Sequence, residues 1–330
     1  MKQILIGGAP STGSSLLVRM LDRHPALFAG PETYLFIHPK LYDHWSRFKW
    51  CLVRRCLCRG LKSEGWFRFN GARLLLPEYG WLRQALRQQL DRAHSLSTFA
   101  KAFFAKAMER KGATIWVEKT PSNAMCFALF HAHFPNSRVI HTTRHPLDTI
   151  ASLMGRGYEV AYATAAYLVN TALAMRTHTQ HWQFTLRYED LVHNPELTLD
   201  GLCTALGIPY LPLMLEPEGQ GVRLAGWQHD ASGVVRRGSV GRFQQLSQIE
   251  QALVMQAVAY LHIGPAFAKK WGIIWGDIPS IAAQLRYALP PLPPADRKLW
   301  QLLQRTLQRD RVQRVLRCYP TGWCYPVAWK

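Results

Sequence analysis

Two kinds of apolar pattern alternate along the chain, and their order predicts an architecture. Residues 2–7, 114–117, 138–143 and 184–188 are short, nearly continuous apolar runs, the pattern of strands buried on both faces of a parallel sheet. Helical spacing follows the first of them, with Leu16, Leu17, Met20 and Leu21 on one face. Residues 122–134, 159–181, 195–206 and 247–262 read as further helices, the third of these stopped by Gly207. Strands alternating with helices predict an α/β fold of three layers, α/β/α, around a central parallel sheet. Residues 40–111 interrupt this order, and amphipathic stretches at 81–93 and 98–110 predict a helical insertion there. The proline-rich stretch 289–294 reads as a stiff linker, so the chain divides into a main domain over 1–280 and a tail over 281–330.

Composition narrows the class. With 330 residues, 48% hydrophobic and 12% aromatic, the chain can bury a full core. Its apolar runs, such as 4–8 and 139–143, fall short of the ~20 residues a membrane span needs, and Met1-Lys2-Gln3 leads into a strand rather than a signal peptide. Seven scattered cysteines suit free thiols in a reducing compartment, so a soluble, cytoplasmic protein is expected. Only Cys51, Cys56 and Cys58 cluster, without the paired spacing of a zinc site, and no metal is expected.

Charge is unevenly spread. Residues 40–111 hold 16 Lys and Arg against 5 Asp and Glu, and residues 281–330 hold 9 against 2. These segments account for nearly all of the net +19. The remaining core is almost neutral, so basicity belongs to the insertion and tail, which could meet an acidic partner or a membrane surface; nucleic acid is not an expected partner. The stretch 294–317 carries Leu299, Leu302, Leu303, Leu307 and Val312 among arginines, the pattern of a basic amphipathic helix that either docks on such a partner or lies on its own domain.

The candidate chemistry starts at the loop after the first strand. Gly8 and Gly13 with Ser14 and Ser15 have the glycine spacing of a P-loop, where backbone N–H groups and a helix N-terminus favour an anion. Ser14 stands where a nucleotide-triphosphate P-loop requires Lys, which argues against ATP or GTP hydrolysis. The unit is therefore P-loop-like rather than a P-loop.

Read together, Gly8-Ala9-Pro10-Ser11-Thr12-Gly13-Ser14-Ser15-Leu16-Leu17, His24-Pro25 and Gly30-Pro31-Glu32-Thr33 resemble the 5′-phosphosulfate segment of sulfotransferases, especially the tyrosylprotein-type and related bacterial enzymes. Glu118-Lys119-Thr120-Pro121-Ser122-Asn123 resembles another block of that family, and the stretch from Val139 to Ser152, with Arg144 and Ser152 eight apart, resembles its 3′-phosphate block. Arg187-Tyr188-Glu189-Asp190-Leu191 and Arg236-Arg237-Gly238-Ser239-Val240-Gly241-Arg242-Phe243 agree in order. The matches cover about residues 4–33 and 114–275.

The resemblance implies a sulfuryl transfer from 3′-phosphoadenosine-5′-phosphosulfate (PAPS) to a hydroxyl, without a metal. It implies Glu32 as the base, Lys119 as the group that stabilises the transition state, and Ser232, loosely aligned, as a helper. Pro10, Ser11, Thr12, Gly13, Ser14 and Ser15 would hold the 5′-phosphosulfate, Arg144 and Ser152 the 3′-phosphate, Tyr188 the adenine side, and Arg236, Arg237 and Gly238 the closing loop. Read as structure alone, Arg144 could instead pair with Asp148 and Tyr188 could be core. The pattern departs at Ser11, where the family usually carries a basic residue; slower chemistry, an arginine of the insertion in its place, or an inactive relative would each follow. The acceptor class stays open among a small molecule, a carrier-bound chain, a lipid, a sugar and a peptide, with the insertion as an acceptor-side cap. A small-molecule kinase and a non-catalytic binding protein of the same fold are the competing readings. His24, in a helix-ending turn, and His141, inside an apolar strand, are expected to be structural.

Overall fold

Five parallel strands form the central sheet, in the order β2-β3-β1-β4-β5. They are β1 (Lys2–Gly8), β2 (Leu27–Ala29), β3 (Ile115–Lys119), β4 (Arg138–Thr143) and β5 (Gln183–Arg187). The computed structural model describes residues 2–52, 78–216, 237–308 and 327–329. Because β1 lies between β3 and β4, the chain runs to one side of β1 and then to the other, which opens a crevice at the carboxyl ends of these three strands.

The near-continuous apolar strands are explained by their two covered faces. On β1, Ile4 and Ile6 point into one layer and Leu5 into the other; on β3, Ile115 and Val117 oppose Trp116. One layer holds α1 (Ser14–Asp22), α9 (Tyr188–His193) and α10 (Pro195–Leu206), whose Leu17, Leu21, Leu191, Leu199 and Leu202 are buried against it. The other layer is aromatic: Trp116 stacks on Phe36 at 5.4 Å and Phe104 at 4.3 Å, with Phe130 and Phe134 edge-on.

That aromatic layer is where the described part of the insertion goes. Its elements are α2 (Pro39–Asp43), α3 (Trp45–Phe48), α4 (Arg83–Arg92) and α5 (Leu96–Lys111). Trp45 and Trp81 are buried and donate their indole N–H groups to the carbonyls of Ala93 (2.9 Å) and Phe103 (2.8 Å). These tryptophans therefore serve the core rather than an open aromatic surface.

The remaining helices are α6 (Phe127–His133), α7 (Pro146–Met154), α8 (Val160–Met175), α11 (Gln248–Tyr260), α12 (Pro265–Trp271), α13 (Ile278–Gln284) and α14 (Arg297–Gln308). A short antiparallel pair joins β6 (Leu261–Ile263) to β7 (Val327–Trp329). The linker lies on α11, where Tyr260 donates to the Pro293 carbonyl (3.2 Å) and Gln256 to that of Pro294 (2.6 Å). Beyond it, α14 buries Leu303 against the main core while Leu302 stays exposed. Among the described residues no helix is long and apolar enough to cross a membrane.

Several boundaries differ from the sequence pattern. The three-residue edge strand β2 is too short to show a period. The helix expected over 159–181 stops at Met175, where the chain turns into β5. Residues 121–126 form a tighter 3₁₀ turn before α6, opened by Pro121, which has no N–H to give. His24 is structural: its ring accepts from the Ala26 N–H (3.1 Å) and meets the Pro209 carbonyl (3.1 Å).

His141 is fully buried in β4, and its ring nitrogens have no partner among the described residues. Burial, aided by the field of His178, pushes its imidazole from 6.5 down to about 3. The folded chain thus holds it neutral while the unfolded chain protonates it near 6.5, so stability is full above that pH and is lost as pH falls toward 3, by about 1.4 kcal/mol per pH unit. Replacing His141 by Leu is expected to reduce the loss of stability between pH 7 and pH 5 by about 2 kcal/mol, read by urea unfolding at the two pH values. An unchanged loss would refute the neutral buried imidazole.

Candidate active site

The crevice is built first by the loop between β1 and α1. Gly13 caps α1 in a left-handed conformation (φ 81°), and a Cβ there would lie 2.4 Å from the Tyr188 ring. Only glycine allows that approach. Thr12 braces the loop, its hydroxyl donating to the Ala9 carbonyl (2.8 Å) and sharing a hydrogen bond with the Thr142 hydroxyl (2.9 Å). No side chain caps α1, so its first N–H groups, from Ser14 and Ser15 onward, form the positive end of a helix at the crevice. Ser11 is one of the few non-glycine residues at positive φ (69°), and its buried hydroxyl has no partner among the described residues. Pro10 stands in the same turn.

One cluster lies on the β3 side of the loop. Lys119, at the end of β3 and 3% exposed, is ion-paired with Glu32, and its ammonium also reaches the Ser15 hydroxyl at 3.4 Å. Burial lowers the lysine from its ordinary value, the Glu32 carboxylate opposes that shift, and Arg156 adds a smaller lowering field. The residue before it, Glu118, is fully buried and accepts hydrogen bonds from the Thr33 N–H (2.9 Å), the hydroxyls of Thr33 and Thr120 (both 2.8 Å) and the Asn123 amide (2.6 Å). Desolvation raises its carboxyl, and those same four donors pull it back.

A second cluster lies on the β4 side. Arg144, just after β4 and 3% exposed, donates to the carbonyls of Ser11 (3.2 Å) and Ser239, and its guanidinium lies 4.9 Å from the Tyr188 ring centre. Its Nε has no partner among the described residues. Desolvation lowers the guanidinium, and Asp148 opposes this from 3.9 Å. Arg242 joins from the loop before α11, donating to the hydroxyls of Ser152 (3.1 Å) and Ser239 (3.2 Å). Two buried or half-buried guanidinium groups and two serine hydroxyls thus meet at one place, a set suited to a dianionic phosphate.

Asp148 does more than face Arg144. Its carboxylate accepts from the backbone N–H groups of Gly241 (2.7 Å) and Phe243 (2.9 Å), which ties the Arg242 loop to α7. Glu189 does the same for the other flank, accepting from the His145 N–H (2.8 Å) and the Tyr287 hydroxyl (3.0 Å).

A family model described as "Sulfotransferase family" matches residues 3–212, which include all of the parallel sheet but Lys2, and Glu32, Lys119, Arg144 and Ser152 of the two clusters. The chain belongs to the sulfotransferase family. The nodulation protein NoeE of Sinorhizobium fredii (strain NBRC 101917 / NGR234) is 24% identical over 230 residues, 61% of this chain and 48% of its own length. The chain therefore spans about half the length of that relative. The sulfotransferase domain from the Synechococcus PCC 7002 olefin synthase superposes with a TM-score of 0.51 at 20% identity, over 88% of this chain and 96% of that one, which shows a shared fold. The sulfotransferase domain from the curacin biosynthetic pathway gives a TM-score of 0.49 at 22% identity, over 87% and 98%.

Of the residues singled out in the sequence, the structure groups Glu32, Lys119 and Ser15 on one side of the loop, and Arg144, Ser11, Ser152 and Tyr188 on the other. Tyr188 is at once buried and in contact with the loop, and it opens α9 rather than ending β5. Arg144 and Asp148 do pair, so the structural reading of Arg144 holds alongside the loop contact. Gly238 sits in an exposed turn; Ser232 and Arg236 lie outside the described residues, as does the Arg237 side chain. The sequence reading singles out neither Arg242 nor Glu118, and Asp148 only as a partner for Arg144. Each stood inside a quoted motif, but only the fold shows which way it points.

Replacing Asp148 by Ala removes the acceptor for one buried and one part-buried N–H group and the counter-charge of Arg144. The expected cost is about 2–4 kcal/mol in urea unfolding. A loss within a few tenths of a kcal/mol would show that the loop is held by other contacts.

Proposed function

We propose that this protein transfers the sulfuryl group of PAPS to a hydroxyl of an acceptor by direct in-line displacement. What carries the reading is the pair of clusters on opposite sides of one anion-binding loop. A carboxylate and a lysine stand on the β3 side, and two arginines with two serines on the β4 side. The unpartnered Arg144 Nε and Ser11 hydroxyl fit a ligand rich in anionic oxygens. The family membership points to the same donor.

PAPS would supply an activated sulfuryl group and a second phosphate by which it is distinguished from other adenylates. On the β4 side Arg144, Arg242, Ser152 and Ser239 would hold the 3′-phosphate, with Tyr188 beside the adenine. The closing segment with Arg236, Arg237 and Gly238 would lie over it. The loop from Pro10 to Ser15 would cradle the 5′-phosphosulfate with backbone N–H groups and hydroxyls. On the β3 side Glu32 takes the acceptor's proton, and Lys119, helped by Ser232, offsets charge that grows on the departing phosphate.

Lys119 has three N–H donors, so its ammonium can keep Glu32 and Ser15 in reach and still turn a donor toward the leaving phosphate. The reaction needs no metal in this reading. The insertion over 40–111 would form the acceptor-side cap, while the described part of the basic tail over 281–330 packs on the main domain through Tyr287 and Leu303. The acceptor hydroxyl is one borne by a small molecule, a carrier-bound chain, a lipid, a sugar or a peptide.

Calorimetric titration is expected to give tight binding of adenosine 3′,5′-bisphosphate and none of ATP with magnesium; preference for ATP would favour a kinase. Glu32→Gln should keep that affinity while lowering turnover by about 10²–10⁴. Arg144→Ala should weaken the bisphosphate and leave 5′-AMP little changed. Equal losses for the two nucleotides would overturn the 3′-phosphate assignment.

A further inference from the structure

Glu32 has no secondary structure to hold it, yet the backbone on each side of it is fixed by a buried polar side chain. On one side the Tyr79 hydroxyl donates to the carbonyl of Pro31 at 2.5 Å. Tyr79 is 1% exposed, and its ring is wedged among Phe28, Phe103 and Phe104 with centroids 5.7, 4.7 and 5.5 Å away. The hydroxyl comes so near the chain that a Cβ on Gly30 would meet it at 2.5 Å, so glycine is required there. On the other side, the N–H and hydroxyl of Thr33 both donate to one oxygen of Glu118, at 2.9 and 2.8 Å. Glu118 is also the residue directly before Lys119, and its other oxygen is held by Asn123 at 2.6 Å.

We propose that Tyr79 and Glu118 are positioning residues that clamp the backbone of Glu32 from both sides and so aim its carboxylate at the acceptor hydroxyl. The proposal rests on Glu32 as the base. It gives the 40–111 insertion, to which Tyr79 belongs, a part in catalysis as well as in covering the acceptor. The two clamps differ in chemistry. Tyr79 is a neutral donor whose phenol burial and the nearby Glu118 raise well above its ordinary value. Glu118 is an acceptor saturated by four donors. Neither touches the reacting atoms; both act through one flexible stretch whose displacement by about 1 Å would cost a large part of the rate.

The test uses the full chain with PAPS, water serving as the acceptor probe, and reads formation of adenosine 3′,5′-bisphosphate. Tyr79→Phe keeps the packed ring and removes only the donor, and Glu118→Gln keeps the shape of the acceptor. Each is expected to lower kcat about tenfold, with KM for PAPS and bisphosphate affinity unchanged. In a Glu32→Gln background the same changes should cost nothing further, because they act through that carboxylate. A crystal structure of Tyr79→Phe should show the Glu32 carboxylate moved from Lys119. Full activity and an unmoved Glu32 in Tyr79→Phe, or losses that add to that of Glu32→Gln, would overturn the proposal; should Glu118→Gln fail to fold, Tyr79→Phe carries the test alone. Normal turnover in Glu32→Gln by itself would overturn the base assignment and the clamp with it, and that result is read from a different variant.

Discussion

The carboxylate of Glu118 is the interaction on which the β3 side of the crevice depends. A charge with no exposure to water is costly, and it is tolerated here because four donors converge on it. Those donors come from the stretch after β2 and from the turn that follows β3. One buried group therefore ties together two segments 85 positions apart in the chain. Lys119 and Glu32 are each one residue away from this knot. Their ion pair is a consequence of it as much as of their own attraction.

The β4 side follows the same rule with a second acid. Asp148 holds two backbone N–H groups of the Arg242 loop and faces Arg144, so the cationic side chains are gathered around a carboxylate before any ligand is considered. The loop between the two sides carries Ser11 where a cation is common in the family, and contributes only N–H groups and hydroxyls. Positive charge is supplied instead from β3, from the end of β4 and from the Arg242 loop, with the field of Arg156 reaching Lys119. Positive charge at the crevice is thereby shared among elements rather than concentrated in the loop.

The insertion and the tail, which hold most of the net charge, are joined to the fold through apolar contacts. Trp45, Trp81, Phe99 and Phe103 extend the aromatic layer around Trp116, and Leu303 seats α14 on the main core. Arginines and lysines are left on the outer faces of these helices because their inner faces are committed to packing. Tyr287, after α13, reaches Glu189 near the Arg144 cluster, so residues past the expected domain boundary at 280 also support the crevice.

The sequence by itself determined the repeating pattern of the fold and the residue types of the site. Near-continuous apolar strands must be covered on both faces, and a Gly-rich loop between strand and helix must present N–H groups, whatever lies elsewhere in the chain. Ser14 in place of Lys, and the motifs around Glu32, Lys119 and Arg144, were equally legible because each is local. Tertiary structure alone decided the strand order, the edge strand β2, and the partners of buried polar groups. Arg242 meets Ser152 across 90 positions, Tyr79 meets Pro31 across 48, and His141 is neutral only because the packed layers bury it completely. Such contacts leave no period in the chain, because a hydrogen bond between distant segments depends on where the packed layers bring them and not on their spacing in sequence.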